Sequence, residues 1–113
     1  MLKIYHNPRC RKSREGLKYL EATGKEFEVI QYMKNPLSYM TVAALVGKTK
    51  LEPLQMVRTQ EKIWKEQYKD KSLSKEDIIE ALSHHPQLLQ RPIVVKDNKA
   101  VVAQPPENIN FIF

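Results

Sequence analysis

Two short runs near the N-terminus alternate in polarity, Leu2-Lys3-Ile4-Tyr5 and Glu26-Phe27-Glu28-Val29-Ile30, and such alternation marks strands. Between them, from about Arg11 to Ala22, the pattern is helical. Leu17 and Leu20 are three apart, Ser13 and Gly16 share their side, and Thr23-Gly24 supplies a stop. Two strands joined by a helix of this length form a βαβ unit, which requires parallel strands and a right-handed crossover. His6-Asn7-Pro8-Arg9 breaks the first strand, because Asn-Pro favours a turn and the residue before a proline avoids the helical region. The loop that follows therefore delivers the chain to the start of the first helix.

The middle of the chain reads as helices. Asn35-Pro36-Leu37-Ser38 is a turn with Ser38 as N-cap, and Met40, Ala43, Ala44 and Val46 form part of a buried side. Pro53 to Arg58 is a short helix with proline in its first turn, and a charged stretch from about Glu61 to Tyr68 carries Trp64, expected to pack on the core. Ser74-Lys75-Glu76-Asp77 resembles a capping box, and His84-His85-Pro86 closes that helix. Ile93-Val94-Val95, the turn Asp97-Asn98 and Ala100 to Ala103 form a β-hairpin. Pro105-Pro106-Glu107 opens a last short helix anchored by Ile109, Phe111 and Ile112. The order βαβ…ββα is the thioredoxin/glutaredoxin-like arrangement: an α/β fold with a four-stranded mixed sheet and a helical insert at about 36–88. One domain spanning 1–113 is expected.

Cysteine usage and charge narrow the function. The 113 residues include one cysteine, which excludes an internal disulfide framework and zinc sites built on cysteine pairs. No apolar run approaches the ~20 residues of a membrane helix. Lys3, His6 and Arg9 interrupt any signal-peptide pattern, so a cytoplasmic location is expected, with no membrane partner. The net charge of +6 favours anionic partners such as oxyanions, phospho-compounds, glutathione or nucleic acid. Nucleic acid is the weakest of these, because little aromatic interleaving is available for base stacking. Lys62, Lys65, Lys69 and Lys71 alternate with Glu61, Glu66 and Asp70 as on a solvated face. Adjacent histidines such as His84 and His85 diverge on a helix and lack a third ligand, so no metal site is expected.

The single thiol, Cys10, falls at the start of the first helix among Arg9, Arg11, Lys12 and Arg14. Unpaired N–H groups, the positive end of the helix dipole and neighbouring cations all favour thiolate over thiol. Such surroundings lower a thiol pKa from about 8.5 to ~3.5–7.5, and the same N–H groups cradle anions. Cys10 is then both a nucleophile and the floor of an oxyanion site. The motif is Cys10-Arg11-Lys12-Ser13. It has no second cysteine to resolve an intermediate, so an external thiol or a second copy of the protein must do so.

His6-Asn7-Pro8-Arg9-Cys10, Ser13-Arg14 and Gln90-Arg91-Pro92-Ile93-Val94-Val95 together resemble the glutaredoxin-coupled arsenate reductase family, over almost the whole chain. The resemblance implies that Cys10 attacks arsenic and displaces water or hydroxide. Glutathione then reacts with the adduct, and glutaredoxin completes reduction to arsenite. No bound cofactor is implied; the reductant is external, with glutathione, glutaredoxin or thioredoxin as partners. Pro92 takes the place of the fold's cis-proline facing the cysteine, and His6 is implied to help ionise it. Asn7, Ser13 and Pro92 are expected to build the site. Ser13 either donates its hydroxyl to the Cys10 thiolate or caps the helix. Three arginines hold the oxyanion in the family. Two map to Arg58 and Arg91, and Gln104, before Pro105, occupies the third place. A neutral amide there replaces a bidentate, permanently charged fork.

The same fold also serves non-enzymatic redox or transcriptional regulators of the Spx type that contact RNA polymerase. Those regulators typically carry Cys-x-x-Cys, which this chain lacks.

Overall fold

The computed structural model describes residues 1–113. Its packing divides the chain into two compact units, one formed by Met1–Asn35 with Arg91–Phe113 and the other by Pro36–Gln90.

The first unit holds the sheet. Strands β1 (Leu2–Tyr5), β2 (Glu28–Ile30), β3 (Ile93–Lys96) and β4 (Lys99–Val102) lie in the order β2-β1-β3-β4. β1 and β2 are parallel, as the βαβ pattern requires, and β1–β3 and β3–β4 are antiparallel. Helix α1 (Arg11–Ala22) makes the crossover. Ile4 pairs with Val94, and Val94 with Val101. These residues share one face and pack with Leu2, Leu20, Ala103, Ile109 and Ile112 in the core. Ile93, Val94 and Val95 are all buried, which explains why β3 reads as a continuous apolar run rather than an alternating one. β2 is shorter than the alternation suggests, because Phe27 leaves the ladder and packs against the core. The last helical stretch is 3₁₀, Pro106–Ile112. The hairpin turn places Asp97 at φ 55°, a conformation that a short polar side chain tolerates.

The second unit is helical: α2 (Tyr39–Thr49), a 3₁₀ turn Pro53–Met56, α3 (Lys62–Gln67), α4 (Lys75–His84) and a second 3₁₀ turn Pro86–Leu88. Ser38 caps α2 by accepting from the Thr41 N–H at 3.2 Å. The Ser74–Asp77 capping box forms in both directions, at 3.0 and 3.1 Å. Trp64 is buried and stacks on Tyr68. An isolated bridge pairs Val57 with Leu89. No helix is long and apolar enough to cross a membrane.

Candidate active site

The loop from β1 to α1 is held by a few short hydrogen bonds. The His6 N–H donates to the Ile30 carbonyl at 2.9 Å, carrying the β1–β2 pairing one residue past the strand. The Asn7 carbonyl accepts from the Cys10 N–H at 3.0 Å, and Asn7 Oδ1 accepts from the Arg9 N–H at 3.1 Å. This is a side-chain-stabilised turn of the kind Asn favours. Asn7 is buried, in keeping with a structural part in the loop.

Cys10 is the N-cap residue of α1, in extended conformation, and is half-buried. Burial pushes its thiol pKa up. Against this act the Ser13 N–H, the Arg91 guanidinium through a hydrogen bond and its charge, and the Lys12 N–H; together they hold the pKa below its ordinary value. The cation at the sulfur is therefore Arg91, about 80 residues along the chain, and not the cluster that flanks Cys10 in sequence. Arg11 instead pairs with Glu15 at 3.2 Å, and Arg14 donates to the Pro8 carbonyl at 3.0 Å. Arg91 is only 6% exposed, so its charge acts through little intervening water.

Ser13 is fully buried, and neither role considered for its hydroxyl is the one observed. Ser13 Oγ accepts from the Asn7 N–H at 3.0 Å and lies 2.7 Å from His6 Nδ1. With the Asn7 proton on one lone pair, the hydroxyl can give its own proton to Nδ1 of a neutral imidazole. Burial and the nearby charge of Arg14 lower the His6 pKa, opposed by its hydrogen bond to Ser13 and by Glu21. His6 is thus linked to Cys10 by way of Ser13, whose N–H faces the sulfur.

The Arg91–Pro92 peptide bond is cis, as the resemblance implies, and so is Gln104–Pro105, which the sequence did not indicate. Pro92 is buried, its carbonyl accepts from the Ala103 N–H at 2.9 Å, and its ring lies against Gly16 of α1. Gln104 was expected to face the substrate. Its Nε2 donates one of its two protons to the Arg91 carbonyl, which ties the side chain to the backbone of the residue that supports Cys10.

Arg58 belongs to the helical unit. Its N–H donates to the Leu88 carbonyl at 2.7 Å, and its Nη1 pairs with Glu61 at 2.9 Å. Glu61, read from sequence as part of a solvated face, is thus the carboxylate partner of Arg58; the i, i+3 spacing was the available signal. Gly16 was placed on the buried side of α1, but its contact with Pro92 was not foreseen. A glycine in a helix interior costs ~1 kcal/mol relative to alanine, so one that persists there points to close packing.

The ionisation of Cys10 has a direct consequence. Its rate of alkylation by iodoacetamide is expected to rise with pH through an apparent pKa below that of a free thiol. A midpoint at or above the free-thiol value would remove the basis for a resting thiolate.

The model of the ArsC family matches residues 5–112. An uncharacterised Escherichia coli protein, YfgD, is 41% identical over 110 residues, covering 96% of this chain and 92% of that one. An arsenate reductase of Neisseria meningitidis is 37% identical over 113 residues, covering 98% and 97%. The structure of an arsenate reductase from Vibrio cholerae superposes with a TM-score of 0.94 at 38% identity, covering 99% of this chain and 97% of that one. With the family's sequence signature and its fold both extending over nearly the full length, this chain belongs to the ArsC family.

Proposed function

We propose that the protein is a single-thiol arsenate reductase that works with external thiols in the cytoplasm. The observation that carries this reading is Cys10, held at the start of α1 with the Ser13 and Lys12 N–H groups and the buried Arg91 guanidinium acting on its sulfur. The same donors that favour a thiolate can receive the negative oxygens of a tetrahedral oxyanion as a sulfur–arsenic bond forms.

In this mechanism Cys10 Sγ attacks As(V), a sulfur–arsenic bond forms, and one oxygen leaves as water after taking a proton. An external thiol such as glutathione displaces a second oxygen in the same way. A second external thiol, on a glutaredoxin or thioredoxin, then attacks the sulfur of the first. A disulfide forms, that sulfur–arsenic bond breaks, and its electron pair stays on arsenic as As(III). Water cleaves the remaining Cys10–arsenic bond and releases arsenite. Two external thiols supply the two electrons, as a chain with one cysteine requires. Arg91 is the oxyanion-binding cation at Cys10, while Arg58, in the helical unit, has its guanidinium paired with Glu61. Gln104 contributes through Arg91.

The test is arsenate reduction with glutathione and glutaredoxin, run beside Cys10→Ser. Wild type is expected to form arsenite, and Cys10→Ser none above the uncatalysed rate. Equal rates would overturn the mechanism. A reactive Cys10 with no arsenite formed would favour the regulatory role known for this fold.

A further inference from the structure

The turn that follows β4 lies against the segment that carries Arg91, and its hydrogen bonds converge on one side chain that the arsenate mechanism does not use. Two bonds join the turn to that segment. The Ala103 N–H donates to the Pro92 carbonyl at 2.9 Å, and Gln104 Nε2 donates to the Arg91 carbonyl. The Gln104 N–H folds back onto the Val102 carbonyl at 2.9 Å. Asn108, in the closing 3₁₀ stretch, ties the turn together. Its Nδ2 donates to the Val102 and Gln104 carbonyls, each at 3.1 Å, and its N–H donates to the Pro105 carbonyl at 3.0 Å.

The clamp suits a short amide. One carboxamide nitrogen carries two protons, whereas a hydroxyl has one to give and a carboxylate none. Here the two go to different carbonyls of the same turn. Asn110, two residues on in the same stretch, spends its amide elsewhere, on the Tyr19 hydroxyl at 2.9 Å. The consequence of the clamp reaches Cys10. Holding a long side chain in one place costs rotamer freedom, so a guanidinium keeps its position only while its stem is packed and the backbone at its base is fixed. Burial packs the Arg91 stem. The backbone at its base is held from the turn after β4, through Gln104.

We propose that Asn108 is a positioning residue for Arg91: by fixing the turn after β4 it keeps Gln104 on the Arg91 carbonyl, and so keeps the guanidinium at the Cys10 sulfur. The inference rests on Cys10 being the reactive thiol with Arg91 as the charged group acting on it, but not on arsenate being the substrate.

Alkylation of Cys10 by iodoacetamide, followed against pH, tests it without arsenic. Asn108→Ala is expected to move the midpoint upward, so that the rate at a fixed pH below it falls about two- to fivefold, the lower part of what one lost neutral hydrogen bond gives. Gln104→Met keeps the length and removes the donor, and the same shift is expected of it. Because the two residues act in one chain, the double variant should shift no further than the larger single one. In an Arg91→Met background Asn108→Ala should add nothing, since the guanidinium it serves is gone. Asn110→Ala removes the same side chain from the same 3₁₀ stretch and should keep the wild-type midpoint. Asn108→Ser, with one donor, replaces alanine if that variant unfolds below the assay temperature, and an upward shift is expected of it as well. An unchanged midpoint in the Asn108 variant or in Gln104→Met, an equal shift in Asn110→Ala, or a shift that persists without Arg91 overturns the proposal. Failure here leaves the arsenate assay unaffected, and failure of that assay leaves the alkylation measurable.

Discussion

Arg91→Met is expected to slow arsenate reduction about 10- to 100-fold. Hydrogen bonds to charged groups contribute about 1.5–3 kcal/mol, and Arg91 makes one to the Cys10 sulfur from a buried position. The same variant should move the pH dependence of Cys10 alkylation upward. Burial raises the thiol pKa, and without the guanidinium only the helix N–H groups oppose it, so less thiolate is present at neutral pH. Methionine has a similar length and no charge to bury, and folding should survive the change. Arg91→Lys should recover part of the rate, since lysine supplies a point charge but not the planar fork. A slower reaction with an unchanged alkylation profile would assign Arg91 to oxyanion binding alone. An unchanged rate would remove it from the site.

Gly16→Ala is expected to destabilise the protein by about 1–3 kcal/mol, the usual cost of overpacking a core. Alanine is worth up to ~1 kcal/mol more than glycine in a helix interior, so the sign depends on the space available. A Cβ at Gly16 would overlap Pro92 Cγ, with Pro92 Cδ at 3.4 Å and Ala103 Cβ at 3.6 Å. Pro92 is a buried ring and cannot swing aside as a flexible chain end would. Gly47→Ala in α2 is the matched control. Nothing lies within 4 Å of a Cβ built there, and a gain of about 0.5–1 kcal/mol is expected. Thermal unfolding should therefore shift in opposite directions for the same chemical change. A rise in Tm for Gly16→Ala would show that Pro92 yields, and the close α1–β3 approach would then not constrain the site.

Much of this was legible in the sequence because it is local. The alternation of Leu2 to Tyr5, the period of α1, and the Asn-Pro turn between them place Cys10 at a helix N-terminus, and N–H donors at such a terminus follow from helix geometry alone. The Ser74 capping box and the hairpin at Asp97-Asn98 are equally local, since each spans only a few residues. The order of elements and the Arg-Pro-Ile-Val run were sufficient for the family, and the cis bond before Pro92 came with it.

What the sequence could not assign was which charges act on the thiol. Arg9, Arg11, Lys12 and Arg14 are its neighbours in the chain, yet all four are exposed, Arg9 in the turn before α1 and the others on its outer side. Arg91 reaches the sulfur because β3 pairs with β1, with Ile93 opposite Tyr5, so the residues just before β3 come to lie beside the loop just after β1. The same long-range pairing ties Gln104 to the Arg91 carbonyl, and makes Gly16 necessary by pressing Pro92 against α1. Local periodicity therefore determines where the thiol sits. Its ionisation and its neighbours depend on strand register, because electrostatic and packing energies follow distance in space and not separation along the chain.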